Sequence, residues 1–470
     1  MLAASLLRDE HVEPLANAVL DTLERVGILC QNEELIRALE AFGGRVDAAS
    51  QRVRFPRELT AEFIEGVRKE DAGRGGWPEQ FVAPGLGGIG TQVAQFFHDD
   101  ELGERRSSNR ADFITCTKFG DVLHAGGSVG HSLAMTDVPP LLEPLEAGML
   151  LAEWARDPGP PFAWNVRQVD HLIEMGEVIG RKNWFTLGAM CFAHPLRLDK
   201  EVADRFVRQV RAGVPTGITA MPVAGVSTPV TLEGFVVVTT AEVVATWMAA
   251  RALNPEVGLA GSMWAGSIDM RTGATSYSAF DAMLYAFACV EFIRRWCGVR
   301  LPVGSGEYCD AKVPGLYTAL EKACKALLVT AFTGQPMGAG SGLIDEGKSL
   351  SLVQLLLDRE YAMGAAQLGR LADPTPERIA LPTIEEVGIG IERSYLTSEH
   401  TAVNFRSCLW LPKLIDRSGW NGFAAEAEVL AKAREQVGET IARYEKPDGR
   451  EEQLGEMRKV VERARDELQG

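Results

Sequence analysis

The stretch Thr219–Gly225, TAMPVAG, runs directly into VSTPVTLEG and decides the reading of this chain. A short apolar run breaks at Met221-Pro222 into a loop of small residues, and a helical pattern follows. Pro222 and Pro229 exclude a continuous helix or a central strand through the segment. Gly225 and Gly234 let the backbone come close to a neighbour or a ligand. This is the pattern of a barrel strand end and the loop after it, where such folds build their active sites. A strand-to-helix turn without chemistry is the bland alternative.

The pattern recurs. Gly126–Ser132, Pro161–Val166, Trp184–Met190, Pro215–Ala224, Leu259–Gly266, Leu301–Tyr308 and Gln335–Gly342 are short apolar runs ending in small residues. Between them Glu201–Ala212, Leu232–Leu253, Ser276–Cys297 and Leu316–Phe332 carry helical spacing. Strands alternating with helices of this length predict βα units around a parallel sheet. The expected fold is α/β, a (β/α)8 TIM-type barrel, with an eighth strand near Val387–Ile391 or in the N-terminal third. An open doubly wound sheet is the alternative, weakened because no GxGxxG turn opens a helix.

The expected organisation is an N-terminal helical and β-hairpin extension over 1–110, a catalytic barrel over 111–420 and C-terminal helices over 421–470. In the extension, helices are predicted at Val12–Val26, Glu33–Ala41 and Leu59–Lys69. Gly73–Gly90 reads as a Gly/Pro-rich loop, and Gln92–His98 as a strand entering a turn. Ala424–Tyr444 and Glu451–Leu468 read as helices split by a Pro-Asp-Gly turn.

A net charge of −16 argues against nucleic acid, because phosphate binding needs a basic face. No run of 18 apolar residues predicts a membrane span, and the N-terminus lacks the marks of a signal peptide. The eight scattered cysteines read as reduced thiols, so a soluble cytoplasmic protein is expected. Cys191-x-x-His194 is the one close Cys/His spacing, too little for zinc, and no bound metal is expected. No GxSxG elbow supports a serine triad.

Trp164, Trp184, Phe185, Trp264 and Tyr308 fall on or just after predicted strands, with His131, Asn165, Glu307 and Asp310 beside them. Each could be a core residue. Gathered around one mouth, the rings would form a cage for a quaternary ammonium.

A set of segments carries a resemblance. They are Gly130–Leu133 with Asp137-Val138-Pro139, MPVAGVSTPVTLEG at 221–234, Asn254-Pro255 with Gly261-Ser262, and Met270–Gly273. Asp310–Pro314, Ser398–Thr401, Phe405-Arg406 and Asp416-Arg417 complete it. In this order the chain resembles the trimethylamine methyltransferase superfamily of corrinoid-dependent methyltransferases. The resemblance implies a (β/α)8 barrel whose mouth receives the corrinoid (cobalamin) of a separate carrier protein, and a methyl group passing from a methylated amine to Co(I). Founding members carry pyrrolysine, expected near Gly304–Lys312. This chain has only ordinary residues, which points to the pyrrolysine-free branch resembling glycine betaine methyltransferase. A non-catalytic quaternary-amine binder and a methyltransferase with another acceptor are the alternatives.

The expected site has Glu307, Tyr308 and Asp310 as catalytic residues. His131, Trp164, Trp184, Trp264 and His400 are expected around the substrate, and Met221, Gly225, Ser262 and Gly340 beside the corrinoid. A homo-oligomer is expected, with the cognate corrinoid protein as partner.

Overall fold

The computed structural model describes residues 5–71, 82–187, 190–192, 194–304, 306–389, 393–420 and 425–469. It is a mixed α/β structure, largely helical, with several small sheets. Parallel pairing recurs along the chain. Phe162–Ala163 pairs with Thr186–Leu187, and Thr219–Ala220 with Ser262–Met263. Single parallel bridges join Ala94 to Leu133, Val129 to Pro158, Thr216 to Leu259, Met263 to Val303 and Gly85 to Gly338. Most of these pairs fall on the predicted strand ends, while Gly85 lies in the predicted loop and Pro158 before the predicted run at Pro161, and no sheet of the described residues closes into a barrel.

Val387 ends the helix Leu381–Val387 rather than a strand, and residues 390 and 391 lie outside the described residues. The bridges at Gly85 and Ala94 come instead from the N-terminal third. Parts of four other predicted segments, at 73–81, 188–189, 305 and 424, also lie outside the described residues. The predicted hairpin is present as Phe96–Asp99 antiparallel to Glu104–Ser107. Its first strand also pairs in parallel with Ser349–Leu350.

Helix Leu232–Leu253 shows how sequence sets the packing. Thr231 caps its start by accepting the Gly234 N–H, and Pro255 follows its end at a position that disfavours helix. Apolar on every face, it is long and apolar enough to cross a membrane by length and composition, yet 78% of its most apolar window is buried inside the protein. It packs under helices Asp9–Arg25 and Glu33–Ala41. Trp247, fully buried, donates its indole N–H to Ala260 O at 2.8 Å and so fixes the helix to the segment leading to Ser262. A second apolar cluster gathers helices Arg110–Leu123, Glu143–Trp154, Leu352–Ala365, Ala425–Ala442 and Glu451–Gln469.

Inside helix Leu232–Leu253, Glu242 accepts the Leu196 N–H at 2.9 Å, and burial pushes its carboxyl up to about 8. The folded state therefore holds this proton longer than the unfolded chain does. Stability from this group is full below the unfolded carboxylate range near pH 4.5 and is lost as pH rises toward 8. Glu242→Gln is expected to remove this slope, at most roughly 1.4 kcal/mol per pH unit, in chemical denaturation at pH 5 to 8.

The buried pair Lys322–Asp358 ties helix Leu316–Thr333 to helix Leu352–Ala365, with Nζ and Oδ2 2.8 Å apart and neither side chain exposed. Asp358 also accepts from Gln354 Nε2 at 2.7 Å and from the Gly342 N–H at 2.9 Å. Lys322→Met leaves an uncompensated buried carboxylate and is expected to cost about 3–5 kcal/mol. Lys322→Met with Asp358→Leu should recover much of that loss in urea unfolding.

Candidate active site

Three aromatic residues distant in sequence converge. Trp264 follows the strand Ser262–Met263; its backbone N–H donates to Ala220 O at 2.7 Å and its indole N–H to Ser262 Oγ at 3.1 Å. Gly304 leaves room for that indole, since a Cβ there would lie 1.9 Å from Trp264 Nε1. Tyr308 meets Trp264 edge to face, with centroids 5.3 Å apart, and meets Tyr277 at 6.0 Å in the same manner. Gln92 Nε2 donates to the Tyr308 hydroxyl at 3.4 Å.

The turn Asp345-Glu346-Gly347 braces this cluster. Asp345 and Glu346 both hold φ near +53°, the left-handed region that side chains avoid. The Asp345 N–H donates to Ala311 O and the Glu346 N–H to Cys309 O, both at 2.8 Å. The Asp345 carboxylate is paired with Arg105 and Lys312, each at 2.7 Å. Gly347 must be glycine: at φ +77°, a Cβ would sit 2.2 Å from Tyr308 Cε1.

Acidic groups surround the rings. Glu346 Oε2 accepts the Tyr277 N–H at 3.0 Å, and Asp310 accepts from Ser276 Oγ at 2.7 Å. Glu321 accepts the Asp310 N–H at 2.7 Å. Burial pushes Glu346 up to about 7, against the pull of the Tyr277 N–H and Lys325, while Asp310 adds to the rise. Burial likewise raises Glu307, and Lys322 and Lys325 oppose it. Lys325 donates to Tyr277 O at 2.6 Å; burial brings it down to about 8, against the pull of Glu346, Glu307 and Glu321. Burial raises Tyr277 to about 12 and Tyr308 further.

Of the residues predicted from sequence, Trp264, Glu307, Tyr308 and Asp310 come together here. Others stand elsewhere. His131 is fully buried; its Nδ1 accepts the Phe162 N–H at 3.1 Å, and Nε2 lies 3.0 Å from Glu143. Trp184 is buried between Gly148 and Gly176, with its indole N–H on Pro158 O at 3.2 Å. Both rings fasten parallel segments to helices, which is framework work rather than a cage wall. Trp164 is 44% exposed and packs on Phe162. His400 lies on helix Glu399–Cys408 beside Asn404.

Met221 and Gly225 flank the strand Val223–Ala224. Gly340 is held against Asp358 and Lys322. Ser262 also lines a cavity of 500 Å³ with Phe185, Leu187, Met190 and Thr219. Tyr277, Gln92, Lys325 and Glu346 escaped the sequence reading, although the run Asp345-Glu346-Gly347 is itself a turn signal.

Of the four residues expected beside a corrinoid, Gly340 is buried, Met221 and Ser262 are part-exposed, and Gly225 lies on an open rim. Gly225 is exposed, as are Val226, Val230, Met270 and Phe280 on nearby loops and at a helix start. Tyr285, on the helix begun by Phe280, donates to Val230 O at 2.6 Å and draws this rim together. An open, apolar rim of this kind fits a large planar cofactor. Among the described residues, no three His, Cys, Asp or Glu form a metal-holding group.

Gly347→Ala is expected to displace the Tyr308 ring and destabilise the protein by about 1–3 kcal/mol. Near-ultraviolet circular dichroism and thermal unfolding would report both effects.

A model of the trimethylamine methyltransferase (MTTB) family matches residues 2–469. The chain is similar to trimethylamine methyltransferase MttB of Desulfitobacterium hafniense, 21% identical over 98% of this chain and 94% of that protein. It is 22% identical to a glycine betaine methyltransferase of the same species, over 94% of this chain and 93% of that protein. Trimethylamine methyltransferase MttB2 of Methanosarcina mazei is 27% identical over 58% of this chain, a match spanning only 55% of that relative.

Proposed function

We propose, on the premise that the chain belongs to the trimethylamine methyltransferase family, that it moves a methyl group from a methylated ammonium to the reduced corrinoid of a separate carrier protein. The convergence of Trp264, Tyr277 and Tyr308 within an acidic surround carries this reading. Aromatic faces attract a diffuse cation, and buried carboxylates favour the same charge. A glycine betaine-like quaternary amine is the proposed substrate class, supported by likeness to a protein of that name.

The recurring parallel bridges support a (β/α)8 barrel for residues 111–420 that also takes in the segment at Gly85–Ala94, with further helical and β-hairpin additions over 1–110 and helices over 421–470. A cytoplasmic homo-oligomer belongs to the same proposal.

The reaction breaks the bond between methyl carbon and nitrogen, and the electron pair leaves with nitrogen. A quaternary ammonium releases a neutral tertiary amine, so no group of this chain must protonate the leaving group. The corrinoid, when its carrier is docked, supplies the cobalt nucleophile that accepts the methyl. This chain contributes alignment and exclusion of water. Trp264 and Tyr308 hold the cation, and the exposed rim around Gly225, with the part-exposed Met221 and Ser262, would receive the corrinoid, while the buried Gly340 braces Asp358 and Lys322. Positive charge is lost as the bond breaks, so a cage that only tightened on the cation would slow the step.

The test is methyl transfer to cob(I)alamin from glycine betaine, carnitine, choline, proline betaine and trimethylamine. Transfer from none of them by folded protein would sink the proposal. Calorimetric binding without transfer would leave a non-catalytic amine-binding protein. Trp264→Ala is expected to weaken binding up to about thirtyfold, the loss of roughly 0.5–2 kcal/mol of cation–π attraction. Trp184→Ala should instead destabilise the fold by about 3–5 kcal/mol and leave affinity unchanged once folded.

A further inference from the structure

Glu346 is a buried acid whose place the fold does not explain. It is 8% exposed, sits in strained backbone, and spends one oxygen on the Tyr277 N–H. Its other oxygen, Oε1, is buried and makes no hydrogen bond of normal geometry among the described residues; its neighbour Ser278 Oγ, also without one, is near enough to pull the carboxyl down. Ser278 is 5% exposed. A buried acceptor left unmade costs free energy that folding alone gives no reason to spend. Glu346 is tied to the aromatic cluster through Tyr277, whose backbone N–H it accepts, and through Gly347, on which the Tyr308 ring lies.

We propose that Glu346, with Ser278 beside it, is a substrate-contacting residue whose unpaired Oε1 faces the cationic head group of the bound ammonium. The inference rests on the methylated-amine reading above and adds the anion that selects charge within the aromatic cluster. An uncharged analogue of the same shape gains nothing from this oxygen.

The surrounding charges set its behaviour. Burial raises the Glu346 carboxyl most and Asp310 adds to it, while the Tyr277 N–H, Lys325 and Ser278 lower it. Glu307 and Glu321 act on Lys325 from the other side, and Tyr277 and Tyr308 stay neutral in this range. Arg105, Lys312 and Lys348 are engaged by Asp345. Near neutrality the free site holds Glu346 partly protonated. A cation binds the ionised form, so binding drives the proton to solvent, and affinity rises with pH through about 7 before levelling off.

The experiment is calorimetry with tetramethylammonium and glycine betaine at pH 6, 7 and 8, repeated in phosphate and Tris to count protons released. The uncharged choline isostere 3,3-dimethylbutanol serves as control. Wild-type affinity for the two cationic ligands should rise roughly tenfold from pH 6 to 8, as the ionised fraction does. Glu346→Gln keeps the volume and the acceptor for the Tyr277 N–H. It should bind both about tenfold more weakly at pH 8, with a flat pH profile and no proton release, while binding of the isostere is unchanged. Glu346→Asp, which keeps charge but retracts it, should retain the pH dependence at lower affinity and covers the case in which the glutamine variant fails to fold.

Wild-type affinity and pH profile surviving in folded Glu346→Gln would overturn this inference and leave the methyltransferase reading standing. Failure of the wild type to bind either cation would overturn both.

Discussion

The Lys322–Asp358 ion pair is the constraint on which the site depends. A charge pair with no exposure survives only if each partner is fully answered, because neither finds water. Asp358 is answered by Lys322, Gln354 and the Gly342 N–H, and Gln354 in turn accepts the Gly315 N–H at 2.8 Å. Two loops and two helices are thereby fixed around one carboxylate. Helix Leu316–Thr333, held this way, presents Glu321 to the backbone at Asp310 and Lys325 to the carbonyl of Tyr277. The electrostatics of the aromatic cluster follow from that docking.

The same cluster shows why backbone strain accumulates at this place. Asp345 and Glu346 would relax if their φ angles turned negative, but four restraints oppose it. Backbone hydrogen bonds to Ala311 and Cys309 hold the turn on one side, and the Arg105 and Lys312 pairs hold Asp345 on the other. Gly347 completes the turn by letting Tyr308 lie directly on the backbone. What the strain secures is a carboxylate, a phenol ring and a tyrosine amide in one fixed arrangement. A reaction that runs on alignment has more use for that than for flexible tight binding.

Much of the architecture was legible because local chemistry states it. The helices Glu33–Ala41 and Leu232–Leu253 appear with the bounds that their periodicity marks. The parallel pairs at Thr219, Ser262 and Val303 lie where small residues follow apolar runs. Site residues were legible only in part. Trp264 and Tyr308 announce themselves as aromatics at strand ends, but so did His131 and Trp184, which face helices instead. Strand-end position does not reveal which face a side chain takes, since one residue of register reverses it. Tyr277 follows a two-residue strand, Thr275–Ser276, too short to show alternation. Glu346 lies in a turn whose sequence carries no sign of burial, because burial by distant segments leaves no local mark.

The chemistry of the cluster also resolves a tension in holding a cation inside a protein. A fully ionised, unpaired carboxylate beside three aromatic rings would burden the empty site, since burial penalises the charged form. A permanently neutral lining would give the cation too little reason to leave water. A carboxyl poised near neutrality avoids both costs, being substantially uncharged when alone and charged when its partner arrives. On the proposed reaction the partner then loses its charge as the methyl departs, and the neutral amine no longer stabilises the anion. Selection of the cation over an uncharged molecule of the same shape would then follow from one titration at Glu346.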